Sequence, residues 1–175
     1  EMLPGVPLVD VAQVFEAADL VLLTVADDEL PGLVEAIDHE QWARPGQFVA
    51  HSSGRYGITA LAPLREVLPL ALHPVMTLTG RPGDVDRLVG CPFWVTAPPQ
   101  LEAVACALVV EMGGEPMIVA EDRRSLYHAA LAHSANHMIT LVAESMDLLS
   151  LAGVSEPARM LGPLLAAALD NALAY

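Results

Sequence analysis

From Val6 to Ala120, short apolar runs of strand character alternate with segments of helical spacing, joined by brief connections. The expected strands are Val6–Val9, Leu20–Val25, Phe48–Ala50, Leu68–Leu72, Phe93–Thr96 and Met117–Ala120. LVLLTV (Leu20–Val25) is a continuous run rich in branched side chains, the mark of a strand buried on both faces. Helices are expected over Val11–Ala18, from Asp27-Asp28-Glu29 through Ile37, over Ile58–Val67, and from Pro99 to Val110 with Gly113-Gly114 as its cap. Strands that alternate with helices across short loops build a largely parallel sheet. The expected fold class is therefore α/β over residues 1–120, with an all-helical segment over residues 121–175.

The helical segment carries the stretch that most asks for a functional explanation, YHAALAHSANHMIT (Tyr127–Thr140). At about 100° per residue, Leu126, Ala129, His133, Asn136, His137, Thr140, Glu144 and Asp147 share one stripe, while Leu131, Ala135, Met138, Ile139, Val142, Met146 and Leu149 fill the rest. A solvated face would carry Lys, Glu and Arg; between Tyr127 and Leu141 there is none. A helix so apolar elsewhere is expected to be buried, with its polar stripe lining a cleft. Imidazoles, an amide and a hydroxyl donate and accept hydrogen bonds, and histidine moves a proton near neutral pH. An imidazole of this stripe, His133 or His137, is the expected proton donor, and Asn136 the group that orients a substrate oxygen. Gly153 ends this helix, and Glu156–Leu173 forms another with Gly162-Pro163 as a kink.

The net charge of −14, with only eight Lys plus Arg, argues against nucleic acid and anionic membrane surfaces as partners. No apolar stretch reaches the ~18 residues of a membrane span, and no signal-peptide pattern opens the chain. Cys91 and Cys106 lack metal-ligand spacing and read as buried thiols in a reducing compartment. A cytoplasmic location follows as the expectation. His133 and His137, at i and i+4, have a spacing that can hold a metal, and His51 and His73 are further conceivable ligands. No motif ties a carboxylate or cysteine to them, so no metal site is expected.

In an open α/β sheet, ligands bind at the carboxyl ends of the strands. Three such ends carry suggestive groups: Thr24-Val25-Ala26, His51-Ser52-Ser53-Gly54 and His73-Pro74-Val75-Met76. Small residues there permit close backbone approach, and the serine hydroxyls can donate to a ligand oxygen. Asp27-Asp28-Glu29 suit the first turn of a helix, where the dipole favours carboxylates, and are not expected to be catalytic.

The succession LVLLTVADDELPGLV, VAHSSG, PLALHPVMTLTG, LVVEMGGEP and LYHAALAHSANHMITLVAE resembles a bacterial family that joins a Rossmann-like domain to a C-terminal helical domain of unknown function. That family is similar to the 6-phosphogluconate dehydrogenase-like group, which includes pyrroline-5-carboxylate reductase, prephenate dehydrogenase and ketopantoate reductase. The resemblance implies NADP or NAD as cofactor. Thr24, Val25, Ala26 and Asp27 would lie along the dinucleotide, and His51, Ser52, Ser53 and Gly54 near the nicotinamide. His73, Pro74, Met76 and Thr140 would meet the substrate, and His133 would stand where relatives carry a catalytic lysine, with Asn136 or His137 in the place of the substrate-binding asparagine after it.

The resemblance also implies a first strand and a G-x-G-x-x-G turn that these 175 residues do not contain. Roughly 50–60 residues are expected to precede Glu1, and dinucleotide binding is expected only with them. The function implied is NAD(P)-dependent reduction of a small keto- or imino-acid. A non-catalytic scaffold for metabolite sensing or dimerisation, and a metal-dependent lyase or hydrolase built on His133 and His137, are the alternatives. The apolar final helix (LLAAALDNALA) and the habit of related proteins point to a homodimer formed through the helical domain.

Overall fold

The computed structural model describes residues 5–174. They fall into two compact units, one running to His128 and the other beginning at Ala129.

The first unit is built on a five-stranded sheet in the order β1 (Leu20–Leu23), β2 (Phe48–His51), β3 (Leu68–Pro74), β4 (Pro92–Thr96), β5 (Glu115–Ile118). Strands β1, β2 and β3 are parallel, β4 is antiparallel to β3, and β5 is parallel to β4. The sheet is thus mostly parallel, with one reversal. The reversal arises because the chain after β3, including helix α3 (Gly83–Leu88), stays at one end of the sheet and re-enters beside Pro74. Only β1, β2 and β3 therefore present carboxyl ends along the same edge.

Helix α1 (Val11–Ala17) starts where the Asp10 carboxylate accepts from Gln13 N at 2.8 Å and the Gln13 side chain accepts from Asp10 N, a capping box that satisfies two orphan donors. With helix α2 (Leu30–His39) it buries one face of the sheet through Phe15, Val21, Leu23, Val34, Ile37 and Val49. Adjacent strand residues point to opposite faces, so Ala50, next to Val49, joins the other core. There, Leu70, Leu72, Phe93 and Val95 pack beneath helix α4 (Glu102–Glu111), which buries Ala105 and Val109. By the strand register, His51, Ala71, His73 and Trp94 share the face of Val21, Leu23 and Val49.

Several elements depart from expectation. Residues 6–9 form no strand and are exposed; Pro7 lacks an N–H, and Asp10 serves as a helix cap rather than a strand end. Strand β1 is not buried on both faces: Val21 and Leu23 are buried, but Leu20 and Leu22 are 38% and 44% exposed, because β1 is an edge strand with helices on one side. Of the helix expected over Ile58–Val67, only the single 3-10 turn Ile58–Leu61 forms. Pro63 has no N–H to continue it, and the chain then turns at Glu66 with φ +61°. Strand β3 continues through His73 and Pro74 rather than breaking there. Strand β5 starts two residues early, since Glu115 N donates to Cys91 O at 2.8 Å and begins the ladder. Cys91 is buried, but Cys106 on α4 is only half-buried.

Helix α5 (Arg124–Leu151) has its first turn in the first unit and the rest in the second, which it shares with helix α6 (Pro157–Ala174). The expectation that α5 is buried fails beyond Tyr127. No α5 side chain past that point is fully buried, and Ile139, Leu141 and Leu148 are more than half exposed. Two paired helices alone can cover only one side of each other. Pro163 lies inside α6. Among the described residues, no helix is long and apolar enough to cross a membrane.

Candidate functional site

Strand β2 ends in His51, which is fully buried and has both ring nitrogens engaged. Nε2 lies 2.9 Å from the Gly57 carbonyl and Nδ1 accepts from Ser53 N at 3.2 Å, so the proton is on Nε2. Burial lowers the pKa of His51, and the hydrogen bond to Gly57 only partly offsets that. This ring is a pin for the loop that follows it. Ser53 Oγ accepts from Tyr56 N at 3.1 Å, and Ser52 N donates to Leu23 O at 3.3 Å, so the loop is held from within and from β1.

Gly54 ends this pinned stretch against the side chain of His73. A Cβ at Gly54 would stand 2.7 Å from His73 Nε2, so glycine is what lets the imidazole lie there. His73 Nδ1 is 2.6 Å from the Tyr127 hydroxyl, and the Tyr127 ring stacks on Trp94 with centroids 3.4 Å apart and planes 12° from parallel. Trp94 faces His73 across the β3–β4 ladder, so three side chains from two strands and a helix form one cluster. Burial, with Arg124 adding to it, lowers the pKa of His73 to about 4. Burial raises that of Tyr127 to about 12. Both groups are neutral at physiological pH.

The turn before α5 and its first residue clamp the same loop. Glu121 accepts from Ile58 N at 2.9 Å, Thr59 N at 3.2 Å and Thr59 Oγ1 at 2.5 Å, filling the donors that a 3-10 turn leaves free. A Cβ on Gly57 would overlap that carboxylate. Arg124, 2% exposed, donates through Nε to Tyr56 O at 2.9 Å and through Nη2 to Ser53 O at 3.3 Å. Its Nη1 is buried with no hydrogen-bond partner among the described residues. Burial lowers the pKa of this guanidinium, and it nonetheless stands as a fixed positive charge beside the cluster.

Of the residues singled out from sequence, Ser53, Gly54 and His73 thus meet at the ends of β2 and β3. Thr24, Val25 and Ala26 stand exposed after β1, with Asp27 half-buried behind them. Met76 is separate from this cluster; it packs against the core on the opposite face. Pro74 is buried at the end of β3. In the second unit, the His133 and His137 rings lie 4.3 Å apart, and His137 Nδ1 donates to the His133 carbonyl at 2.7 Å. With Ser134, Met138 and Leu141 they line a groove of about 320 Å³. Asn136 is exposed, and the Thr140 hydroxyl donates to the Asn136 carbonyl at 3.0 Å, so its proton is taken by the helix itself. Among the described residues, no three His, Cys, Asp or Glu side chains group as metal ligands do.

Tyr127, Trp94, Glu121 and Arg124 were not anticipated from sequence. The spacing Glu121, Arg124, Tyr127 is i, i+3, i+6 and sets one face, which was the available signal. Nothing in composition distinguishes a buried arginine from the exposed Arg123 beside it.

Residues 1–74 match the Rossmann-like domain family, and residues 91–175 match the domain of unknown function DUF2520. The two matches cover separate parts of the chain, the first holding strands β1 to β3 and the second helices α5 and α6. No protein of curated function matches it. Among solved structures it is similar to protein TM1727 from Thermotoga maritima, with TM-score 0.69 and 16% identity over 89% of this chain and 59% of that one. It is also similar to an NADH-preferring ketol-acid reductoisomerase from an uncultured archaeon, with TM-score 0.70 and 16% identity over 93% of this chain and 54% of that one. For a 1-pyrroline-5-carboxylate reductase from Streptococcus pyogenes the values are 0.68, 12%, 91% and 59%. These likenesses are of fold, and the chain spans between 54% and 59% of those proteins' lengths.

Proposed function

We propose that this protein is an NAD(P)-dependent oxidoreductase that reduces a small keto- or imino-acid. The observation that carries the reading is the convergence, on the carboxyl ends of β2 and β3, of a glycine-bearing loop held rigid from two sides and a histidine hydrogen-bonded to a tyrosine. In parallel α/β sheets, that edge is where ligands bind. Two proteins named for reductive chemistry share the fold.

The residues fit the nicotinamide end of a dinucleotide. Thr24, Val25 and Ala26 are exposed after β1, and Gly54 leaves room for His73 beside the β2 loop. In this reading Thr24, Val25, Ala26 and Asp27 run along the nucleotide, and His51 shapes the loop that Ser52, Ser53 and Gly54 present to the ring. A reduced nicotinamide held there supplies hydride. The chain's own residues must then exclude water, orient a carbonyl or imine, and deliver a proton. His73 and Pro74 border the substrate, and Met76 supports them from the opposite core. His133, Asn136, His137 and Thr140 retain, within the proposal, the substrate-binding and proton-donating roles their chemistry suits.

A panel of 2-keto acids and cyclic imino acids, offered to the full natural protein with NADPH and with NADH, tests the reading. Steady nicotinamide oxidation with at least one member, reduced at least tenfold in His133→Ala or Asn136→Ala, is the expected outcome. Absence of turnover with every pair would favour a non-catalytic Rossmann scaffold.

The reading includes a homodimer formed through the second unit. Its α5 and α6 leave an apolar groove of about 540 Å³ lined by Met138, Ile139, Val142, Met146, Leu165 and Leu169, a surface that a second copy would cover. A cytoplasmic location completes the proposal, checked by fractionation of cells.

A further inference from the structure

We propose that the groove between the end of helix α2 and the segment leading into β3 is a binding site for a small α-amino acid in its zwitterionic form. The site lies wholly within the first unit, apart from the edge assigned to the nucleotide, and does not rest on the oxidoreductase reading.

Ile37 and Asp38 of α2, Gln41 and Ala43 after it, and Leu64 and Arg65 before β3 line a groove of about 260 Å³. Ala43 precedes β2, and Leu64 and Arg65 precede β3, so the groove sits at the amino ends of these strands, opposite His51 and His73. Ile37 and Leu64 belong to the core, at 0% and 5% exposed, and give the groove a rigid apolar floor. The Glu66 carbonyl accepts from Gly46 N at 2.7 Å, which ties the segment carrying Arg65 to the turn before β2. The cavity is therefore in place before any ligand arrives, and binding need not spend energy on forming it.

Charge says what would fit. Five of the eight arginines (Arg44, Arg55, Arg87, Arg123 and Arg159) pair with a carboxylate, and a sixth, Arg124, binds two carbonyls. The chain has 22 carboxylates for those eight arginines, so partners are abundant. Arg65 nonetheless forms no ion pair among the described residues, and neither does Asp38, although both line the same groove. The backbone thus holds a guanidinium and a carboxylate on one cavity wall, more than 4.0 Å apart. A molecule with an ammonium at one end and a carboxylate at the other bridges such a gap. Helix α2 brings its carboxyl-terminal end here, where the dipole favours a cation, so the ammonium goes to Asp38. The ligand's carboxylate goes to Arg65, whose fork of donors matches two oxygens. Its alkyl group is left to lie on Ile37, Ala43 and Leu64. A groove smaller than the ~300 Å³ at which drug-sized sites begin limits that group to about the size of a valine side chain.

The backbone at Gln41 points the same way. Gln41 follows the last residue capping α2 and has φ +56°, a conformation that glycine adopts freely and glutamine does not. Ending the helix would need only glycine there, so the strain marks a position kept for its side chain. Gln41 Nε2 donates to the Asp38 carbonyl, and among the described residues its amide oxygen has no partner. That oxygen is a second acceptor for the ammonium beside the Asp38 carboxylate.

Amide NMR and titration calorimetry on the full natural protein test the site, with L-valine as the probe. Isobutylamine lacks its carboxylate, and 3-methylbutanoate lacks its ammonium. L-valine should bind saturably and shift the amides of Gln41, Trp42 and Arg65. Each one-ended analogue should bind about tenfold more weakly or worse, as should L-valine to Arg65→Gln and to Asp38→Asn. Gln41→Gly should raise the melting temperature while weakening L-valine binding, a pair of effects that a merely structural glutamine would not give. The proposal is overturned if L-valine produces no saturable shift at these amides or if either analogue binds as well as L-valine. Unchanged L-valine binding in folded Arg65→Gln or in Gln41→Gly overturns it as well.

Discussion

His73 joins the chemistry of the site to the stability of the fold. Its pKa in the folded protein is lowered to about 4 by burial and by Arg124, below the ordinary 6.5 that it regains on unfolding. Between those values the unfolded chain binds more protons than the folded one, so stability rises with pH across this window. The penalty is absent above pH 6.5, grows as pH falls, and is complete near pH 4. Buried His51, also lowered, adds in the same direction. Chemical denaturation from pH 7 to pH 4 should show declining stability, with a flatter profile in His73→Gln. An equal slope in that variant would mean His73 is not desolvated as the structure has it. At this scale the sequence was partly legible. His73 and Gly54 could be named because histidine and glycine at strand ends are chemically conspicuous. Tyr127 and Trp94 could not, since their importance lies in a stack between residues 33 positions apart that no local pattern records.

Among the elements, the decisive one is the turn Glu121–Arg123 with the start of α5, which seizes the β2 loop. Glu121 takes the amides of Ile58 and Thr59, and Arg124 takes the carbonyls of Ser53 and Tyr56. Each charge-assisted bond to a partly buried group is worth roughly 1.5–3 kcal/mol. Glu121→Ala should lower stability by about 2 kcal/mol and speed hydrogen exchange at Ile58 and Thr59 selectively; uniform exchange with unchanged stability would contradict the clamp. Nothing local in the sequence marks the long-range partners of Glu121, because a carboxylate near a helix start satisfies the dipole argument equally well. The alternation of strands and helices was readable because hydrophobic period survives in any context. What it missed was contextual: Pro63 cutting a helix short, Glu115 opening a strand despite its charge, and β1 standing at an edge.

In the molecule as a whole, the Rossmann-like sheet and the helical pair are separate units, and the apolar groove of the second is the surface proposed for a second copy. Sedimentation at micromolar concentration should give a dimer, and Leu169→Glu should shift it toward monomer with the first unit still folded. A wild-type monomer would remove the dimer from the account. The division into an α/β part and a helical part was legible from where strand patterning stops. The exposure of α5 beyond Tyr127 was not, since an apolar stripe reads the same in sequence whether or not a neighbour covers it, and only the number of neighbouring helices decides. In the proposed function, the carboxyl ends of β1, β2 and β3 receive a nicotinamide nucleotide. Fluorescence titration of the full natural protein with NADPH and with NADH tests it most directly. Saturable binding of at least one, weakened at least tenfold when Gly54→Val fills the space beside His73, is the predicted result. No saturable change with either nucleotide would contradict the account.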